Sequence, residues 1–196
     1  MRPTWLESGN FRTGNTGVLS LMITGADTTS AKLLQELADK RALDELICRQ
    51  ALALDKRDWP TYRACLADGE VHFDFTDHTD RVVGKHIGIE HSADAWLEKV
   101  KTVMPGFDGS QHLISNLLHV VQGDNAHSEC FVLADHFLNN ETGDRSITMA
   151  GIYTFDSRRS AAGWKIHRWV LKILWYRGNP SIYQLAQQRA ATLAPR

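Results

Sequence analysis

No Cys-x-x-Cys pair occurs in the 196 residues, and the three cysteines, Cys48, Cys65 and Cys130, stand far apart. This spacing excludes a disulfide framework and a zinc knuckle, and it suits a reducing compartment. Net charge is also lacking, because 22 Lys and Arg nearly cancel 23 Asp and Glu. With no overall field to hold a phosphate backbone or an anionic lipid surface, neither nucleic acid nor membrane is an expected partner. Long apolar runs are missing as well. The run nearest the N-terminus, Val18 to Ile23, is too short for a signal peptide's hydrophobic region or a membrane span. A cytoplasmic protein is expected, and Met22 is a possible natural start. What remains is an ordinary globular balance, 43% hydrophobic and 23% charged, at a length suited to one core.

Residues 1–28 scatter Gly9, Gly14, Gly17 and Gly25 among Thr, Asn and Ser without a period, which predicts a flexible N-terminal arm. Thr29 or Ser30 can then cap a long helix whose apolar stripe runs Leu33, Leu34, Leu37, Leu43, Leu46, Ile47, Ala51 and Leu54 and ends near Asp55. Asp58-Trp59-Pro60 starts a second helix, with Pro in the first turn where its missing N–H is not needed. Val71, Phe73 and Phe75 alternate with His72 and Asp74 as a strand, with Val82-Val83 as a short return partner. A third helix is predicted from about Ile87 to Val103, stopping before Pro105-Gly106. Four strand-like runs follow: His112 to Val121, His127 to Phe137, Ser146 to Phe155 and Trp164 to Trp175, separated by turn residues such as Gly123-Asp124-Asn125. Helices first and a long antiparallel or mixed sheet afterwards predict an α+β fold over residues 29–178, a curved sheet covered by three N-terminal helices around a closed apolar pocket. Residues 179–196 form a tail with helical spacing at Ile182 to Leu193, expected to lie outside the domain.

The chemistry centres on two residues. Asp55 follows Ala51-Leu52-Ala53-Leu54, where the first helix meets the interior, and a carboxylate there needs a partner; locally it also reads as part of the charged patch Asp55-Lys56-Arg57-Asp58. His112 opens a strand. A carboxylate bound to one ring nitrogen leaves the other as a proton acceptor, which is a general base needing neither metal nor nucleophile. Asn116, four residues along the strand, should share His112's face. Tyr62 is a candidate polar contact for a substrate, and Trp59, Phe73, Trp96, Met149 and Tyr153 candidate lining. No His-Glu-x-x-His or facial-triad spacing appears, so no metal site is expected, although His86, Glu90 and His91 lie close together, as do Asp74, Asp77, His78 and Asp80. His119, His127, His136 and His167 read as solvated or edge positions.

Taken in order, Ala53-Leu54-Asp55-Lys56-Arg57-Asp58-Trp59, His112-x-x-x-Asn116, Gly123-Asp124-x-Ala126, Gly151-x-Tyr153-Thr154 and Gly163-Trp164-Lys165-Ile166 resemble the SnoaL-like branch of the nuclear-transport-factor-2-like superfamily, over roughly residues 32–178. The resemblance implies a cone-shaped α+β roll of the cystatin-like kind. Relatives such as scytalone dehydratase, bile acid 7α-dehydratase and hexachlorocyclohexane dehydrochlorinase carry an Asp–His dyad that aligns with Asp55 and His112. A lyase or isomerase without a cofactor is thereby implied, acting on a small cyclic apolar molecule such as a steroid, polyketide or aromatic-pathway intermediate. The dehydrochlorinase-like members place an Arg five positions after the Trp of the Gly-Trp motif. Here Trp169 holds that slot as pocket lining, and alternation turns Arg168 to the opposite face; Gln50 stands where relatives place a hydroxyl or ammonium one to two turns before the Asp, which implies a substrate contact there. The same fold also serves without catalysis, as in ring-hydroxylating dioxygenase small subunits. An outer apolar stripe drawn from Val170, Ile173 and Trp175 predicts a homodimer or homotrimer.

Overall fold

A computed structural model describes residues 20–77 and 87–193. Helix α1 spans Ser20–Lys56 and so begins well before the Thr29 or Ser30 cap; residues 1–19 of the expected arm lie outside the described residues. The chain divides after Leu37 into two units. In the first, Leu33, Leu34 and Leu37 are exposed, so the apolar stripe buries nothing there. In the second, the same helix buries Leu43, Leu46, Ile47, Ala51 and Leu54. Everything that follows concerns this second unit, from Ala38 onward.

Helix α2, Trp59–Cys65, is capped as the sequence predicts: the Asp58 carboxylate accepts from the Thr61 N–H at 3.2 Å and Pro60 sits in the first turn. Strand β1, Glu70–Asp77, pairs antiparallel with β2, Ile87–Ser92. The expected third helix therefore loses its first turns to a strand, and α3 is only Ala93–Lys101. The Ser92 hydroxyl accepts from the Ala95 N–H at 3.1 Å, so a serine cap marks a boundary that apolar spacing had blurred. Val82 and Val83 lie outside the described residues.

The meander is β3 (Gly109–Gln122), β4 (Asn125–Phe137), β5 (Ser146–Ser160) and β6 (Gly163–Gly178). Gly123, at φ 60°, closes the two-residue turn between β3 and β4 in a conformation that favours glycine. Strand β6 runs parallel to β1, which gives one six-stranded mixed sheet among the described residues, in the order β2-β1-β6-β5-β4-β3. Burial alternates residue by residue along β4, as a half-buried strand requires. Three bulges bend the pattern, one of them in β6, where Leu174 is extra opposite the Ala150/Gly151 step. Strand β3 gains a residue between Ser115 and Leu118 relative to β4, with Asn116 at φ 58°. Strand β6 gains one opposite the Asp156/Ser157 step, where His167 is the extra residue.

The inner face packs aromatic rings. Phe73 stacks on Trp96 with centroids 3.9 Å apart, and Trp169 meets Trp96 edge-on at 6.2 Å and Tyr153 at 5.0 Å. Helix α4, Ile182–Thr192, is part of the domain and not outside it, since Ile182 and Ala186 are fully buried. Gly106, in the 3-10 turn Met104–Gly106, makes this possible: a Cβ there would overlap the Ala186 carbonyl.

Candidate active site

Asp55 lies in the last turn of α1, where the helix dipole disfavours a negative charge, so the carboxylate depends on its other partners. The Ser110 hydroxyl donates to Oδ1 at 2.9 Å, the His112 backbone N–H donates to Oδ2 at 2.7 Å, and His112 Nδ1 lies 2.7 Å from Oδ1. Burial pushes the acid's pKa up, but the hydrogen bonds and charge of His112, with the Ser110 hydroxyl, outweigh it and hold the carboxyl below its ordinary value.

The chain leaves α1 through Arg57, a non-glycine residue at φ 57°. The Asp58 N–H reaches back to the Ala53 carbonyl at 2.9 Å and the Arg57 N–H to that of Leu54 at 3.2 Å. This is the Schellman termination, normally made with glycine. An arginine there carries a backbone cost on the order of 1–2 kcal/mol. It also directs the guanidinium into the site, where it donates to the Asp55 carbonyl, to Ser110 Oγ at 2.9 Å and to the Met104 carbonyl at 3.0 and 3.2 Å. Arg57 thus fastens the end of α1 to the start of β3. Neither Arg57 nor Ser110 stands out in the sequence, and the absence of glycine after Lys56 is the one available signal.

His112 projects from the inner face of β3, in register with Ala134 on β4 and, through it, with Met149 on β5. Its side chain is 6% exposed and that of Asp55 13%. A ring nitrogen this close to a carboxylate carries the hydrogen, which fixes the Nδ1–H tautomer and leaves Nε2 a free lone pair. Among the described residues Nε2 has no hydrogen-bond partner. His136, read from sequence as solvated, is buried beside this ring. The two imidazoles meet edge-on at 5.3 Å, and the Tyr183 hydroxyl from α4 lies 3.2 Å from His136 Nδ1. Burial first, then the neighbouring His112 and Arg57, push His136 down to about 3, against a smaller upward pull from Asp55, so it is neutral.

The other expected residues divide. Tyr62 is fully buried and accepts from Trp96 Nε1 at 2.9 Å, and burial raises its phenol above the ordinary value. Gln50, Phe73, Trp96, Met149, Tyr153 and Trp169 are all buried, and Trp59 packs against this core while half-buried. Gln50 lies beside the Tyr62 hydroxyl, and the buried Trp169 Nε1 has no hydrogen-bond partner among the described residues. Asn116 does not join them. The bulge turns it out to solvent, breaking the alternation that predicted a shared face with His112. Arg168 faces away, as expected, and donates to Asp156 Oδ2 at 3.2 Å.

His119 is also inward and not solvated, with a side chain 5% exposed. Its Nε2–H donates to Asp44 Oδ1 at 2.9 Å, and Nδ1 accepts from the Ser128 hydroxyl at 2.8 Å. Among the described residues no group of three or more His, Cys, Asp or Glu side chains is arranged to hold a metal. His86 and the side chains of Glu90 and His91 lie outside those residues, as do His78, Asp80 and the side chain of Asp77.

Residues 35–170 match the model of the SnoaL-like domain. The Kfla4162 protein of Kribbella flavida superposes with a TM-score of 0.68 at 18% identity, over 76% of this chain and 99% of that one. A candidate scytalone dehydratase from Novosphingobium aromaticivorans gives 0.61 at 18%, over 74% and 89%. The hexachlorocyclohexane dehydrochlorinase LinA-type3 of Novosphingobium barchaimii gives 0.59 at 22%, over 74% and 93%. At these identities the likeness is one of fold, the nuclear-transport-factor-2-like fold with its cystatin-like sheet. None of the curated protein sequences matches the chain significantly.

Proposed function

The chain belongs to the SnoaL-like domain family, and from that membership and its site we propose that it is a small lyase or isomerase of the dehydratase type, acting on a cyclic, largely apolar substrate. The observation that carries this reading is His112, with Nδ1 held 2.7 Å from Asp55 and Nε2 unpartnered among the described residues. Nε2 takes a proton from carbon adjacent to a carbonyl or leaving group. The Asp55 carboxylate stabilises the imidazolium that forms. Positioned proton transfer of this kind contributes roughly a hundred- to ten-thousandfold. The N–H of Trp169, unpartnered among the described residues, suits a substrate oxygen, since a buried donor without an acceptor costs about 1–3 kcal/mol. Aromatic rings of the inner face supply the apolar walls.

A second reading, assembly without catalysis, is favoured by a different observation. The outer face of the sheet exposes Leu113, Leu118, Val120, Phe131, Leu133 and Trp175, and a contiguous apolar surface of this kind is ordinarily covered. Of the stripe expected there, Trp175 is exposed and Ile173 is buried inside. A homodimer or homotrimer through this face is compatible with either reading.

The test is solvent deuterium exchange at the carbon next to the carbonyl in a panel of cyclic hydroxy-ketones, which reports proton removal whether or not a group leaves. Wild type should exchange and His112→Gln should not, with both folded by circular dichroism. Absence of exchange across the panel, or equal exchange by the two proteins, would sink the catalytic reading.

A further inference from the structure

At the opposite end of β3 from His112, ten residues along and roughly 30 Å away at about 3.3 Å per residue, a cavity of about 300 Å³ opens among Gln122, Asn125, His127, Asp156, Arg158 and His167. The β6 bulge makes it, since the extra residue there is His167, and bulges re-aim side chains in this way. Its charges are uneven. Among the described residues Asp156 is the only carboxylate in the lining, and both its oxygens are engaged: His127 Nδ1–H donates to Oδ1 at 2.7 Å and Arg168 Nη1 to Oδ2 at 3.2 Å. Arg158 and His167 have no hydrogen-bond or ion-pair partner among the described residues. A guanidinium brings five donors in a planar fork, and the Gln122 and Asn125 amides add more. In a chain whose net charge is only −1, the lining thus sets one unpaired arginine and two imidazoles around a carboxylate that is already satisfied.

We infer that this cavity is a binding site for a small oxyanion, a phosphate or carboxylate group, held by Arg158 and His167. The site is separate from the Asp55–His112 pair and does not depend on the function proposed for it. The occupant is a compact anion and not a nucleic-acid backbone, because the cationic groups sit in one recess and do not run along a face.

The groups facing His167 are His127 from β4, Asp156 and Arg158 from β5, and Arg168 beside it on β6. Burial, then Arg158, hold its ring below the ordinary histidine value; Arg168 adds to this and Asp156 opposes it. A bound anion reverses the sign of the nearest field and favours the imidazolium. NMR titration of the histidine rings therefore reads the site directly, using inorganic phosphate and citrate as probes against sodium chloride at matched ionic strength. The His167 midpoint should rise by about half a pH unit or more with phosphate or citrate, saturably and without movement of His112, and Arg158→Gln should abolish the response while leaving the fold intact. A stronger response to phosphate would assign a phosphate-bearing ligand, and a stronger response to citrate a carboxylate. An equal response to chloride, or one that persists in Arg158→Gln, would overturn the inference.

Discussion

Helix α1 and strand β3 bring a carboxylate and an imidazole together twice. Asp55 meets His112 at 2.7 Å and Asp44 meets His119 at 2.9 Å, and both rings are nearly closed off from solvent. The pairs differ in what the second nitrogen does. In His119 it accepts from Ser128, so every polar atom of the ring is used and the pair ties helix to sheet. In His112 it has no partner among the described residues, while the surrounding donors, Ser110, Arg57 and the His112 N–H, all serve the carboxylate and its turn. A buried Asp–His pair is therefore not a site in itself. The unspent lone pair distinguishes a base from a fastening.

Exchanging the same residue type at both places breaks the comparison most strongly. His112→Gln should lower the rate of carbon-proton exchange by roughly a hundred- to ten-thousandfold, whereas His119→Gln should leave the rate of the folded protein within about threefold; steady-state exchange assays decide. Stability should run the other way. Asp44→Ala strips His119 of its acceptor and should cost about 1–3 kcal/mol in urea unfolding, with little effect on turnover.

Acid sharpens the difference between the two ends of β3, because His136 stands only beside the first pair. His136 is held at about 3, below its unfolded value near 6.5. The stability it contributes is complete above about pH 6.5 and is lost as pH falls from there toward about 3. Asp55, also depressed, adds stability above the ordinary carboxylate value that is lost only as pH falls below it. His136→Gln should thus flatten the upper part of the acid-unfolding curve and leave the lower part, as followed by fluorescence. The smallest effect concerns Arg57. Arg57→Gly relieves the left-handed backbone that Arg57→Ala retains, so the alanine variant should be less stable by about 1 kcal/mol, although both lose the bonds to Met104 and Ser110.

The four meander strands were legible because turn residues punctuate them and alternation marks their faces. Asp55 was legible from its place after Ala51-Leu52-Ala53-Leu54, and its pairing with His112 from resemblance. The remainder depended on contacts that spacing does not encode. Asn116 sits at a bulge, which no alternating pattern announces before the partner strand is known. His136 looked solvated because a histidine says nothing of what covers it, and its cover comes from Phe107 and from Tyr183 of a helix expected to lie outside the domain. That helix docks because Gly106 lets two backbones touch, a fit that depends on removing a side chain and not on an apolar stripe.

The bulge at Asn116 has a consequence for how β3 is written. A strand counts in twos, and His112 and His119 are seven apart, an odd interval that on an unbroken strand would set them on opposite sides. The inserted residue changes the parity, so that both rings point inward. Asn116 therefore acts as a reading-frame shift in the two-fold code of the strand. Everything before it is read in one phase and everything after it in the other: straightening the bulge with the residue kept would turn the fastening out into water, whereas deleting Asn116 would leave the two histidines six apart and both inward.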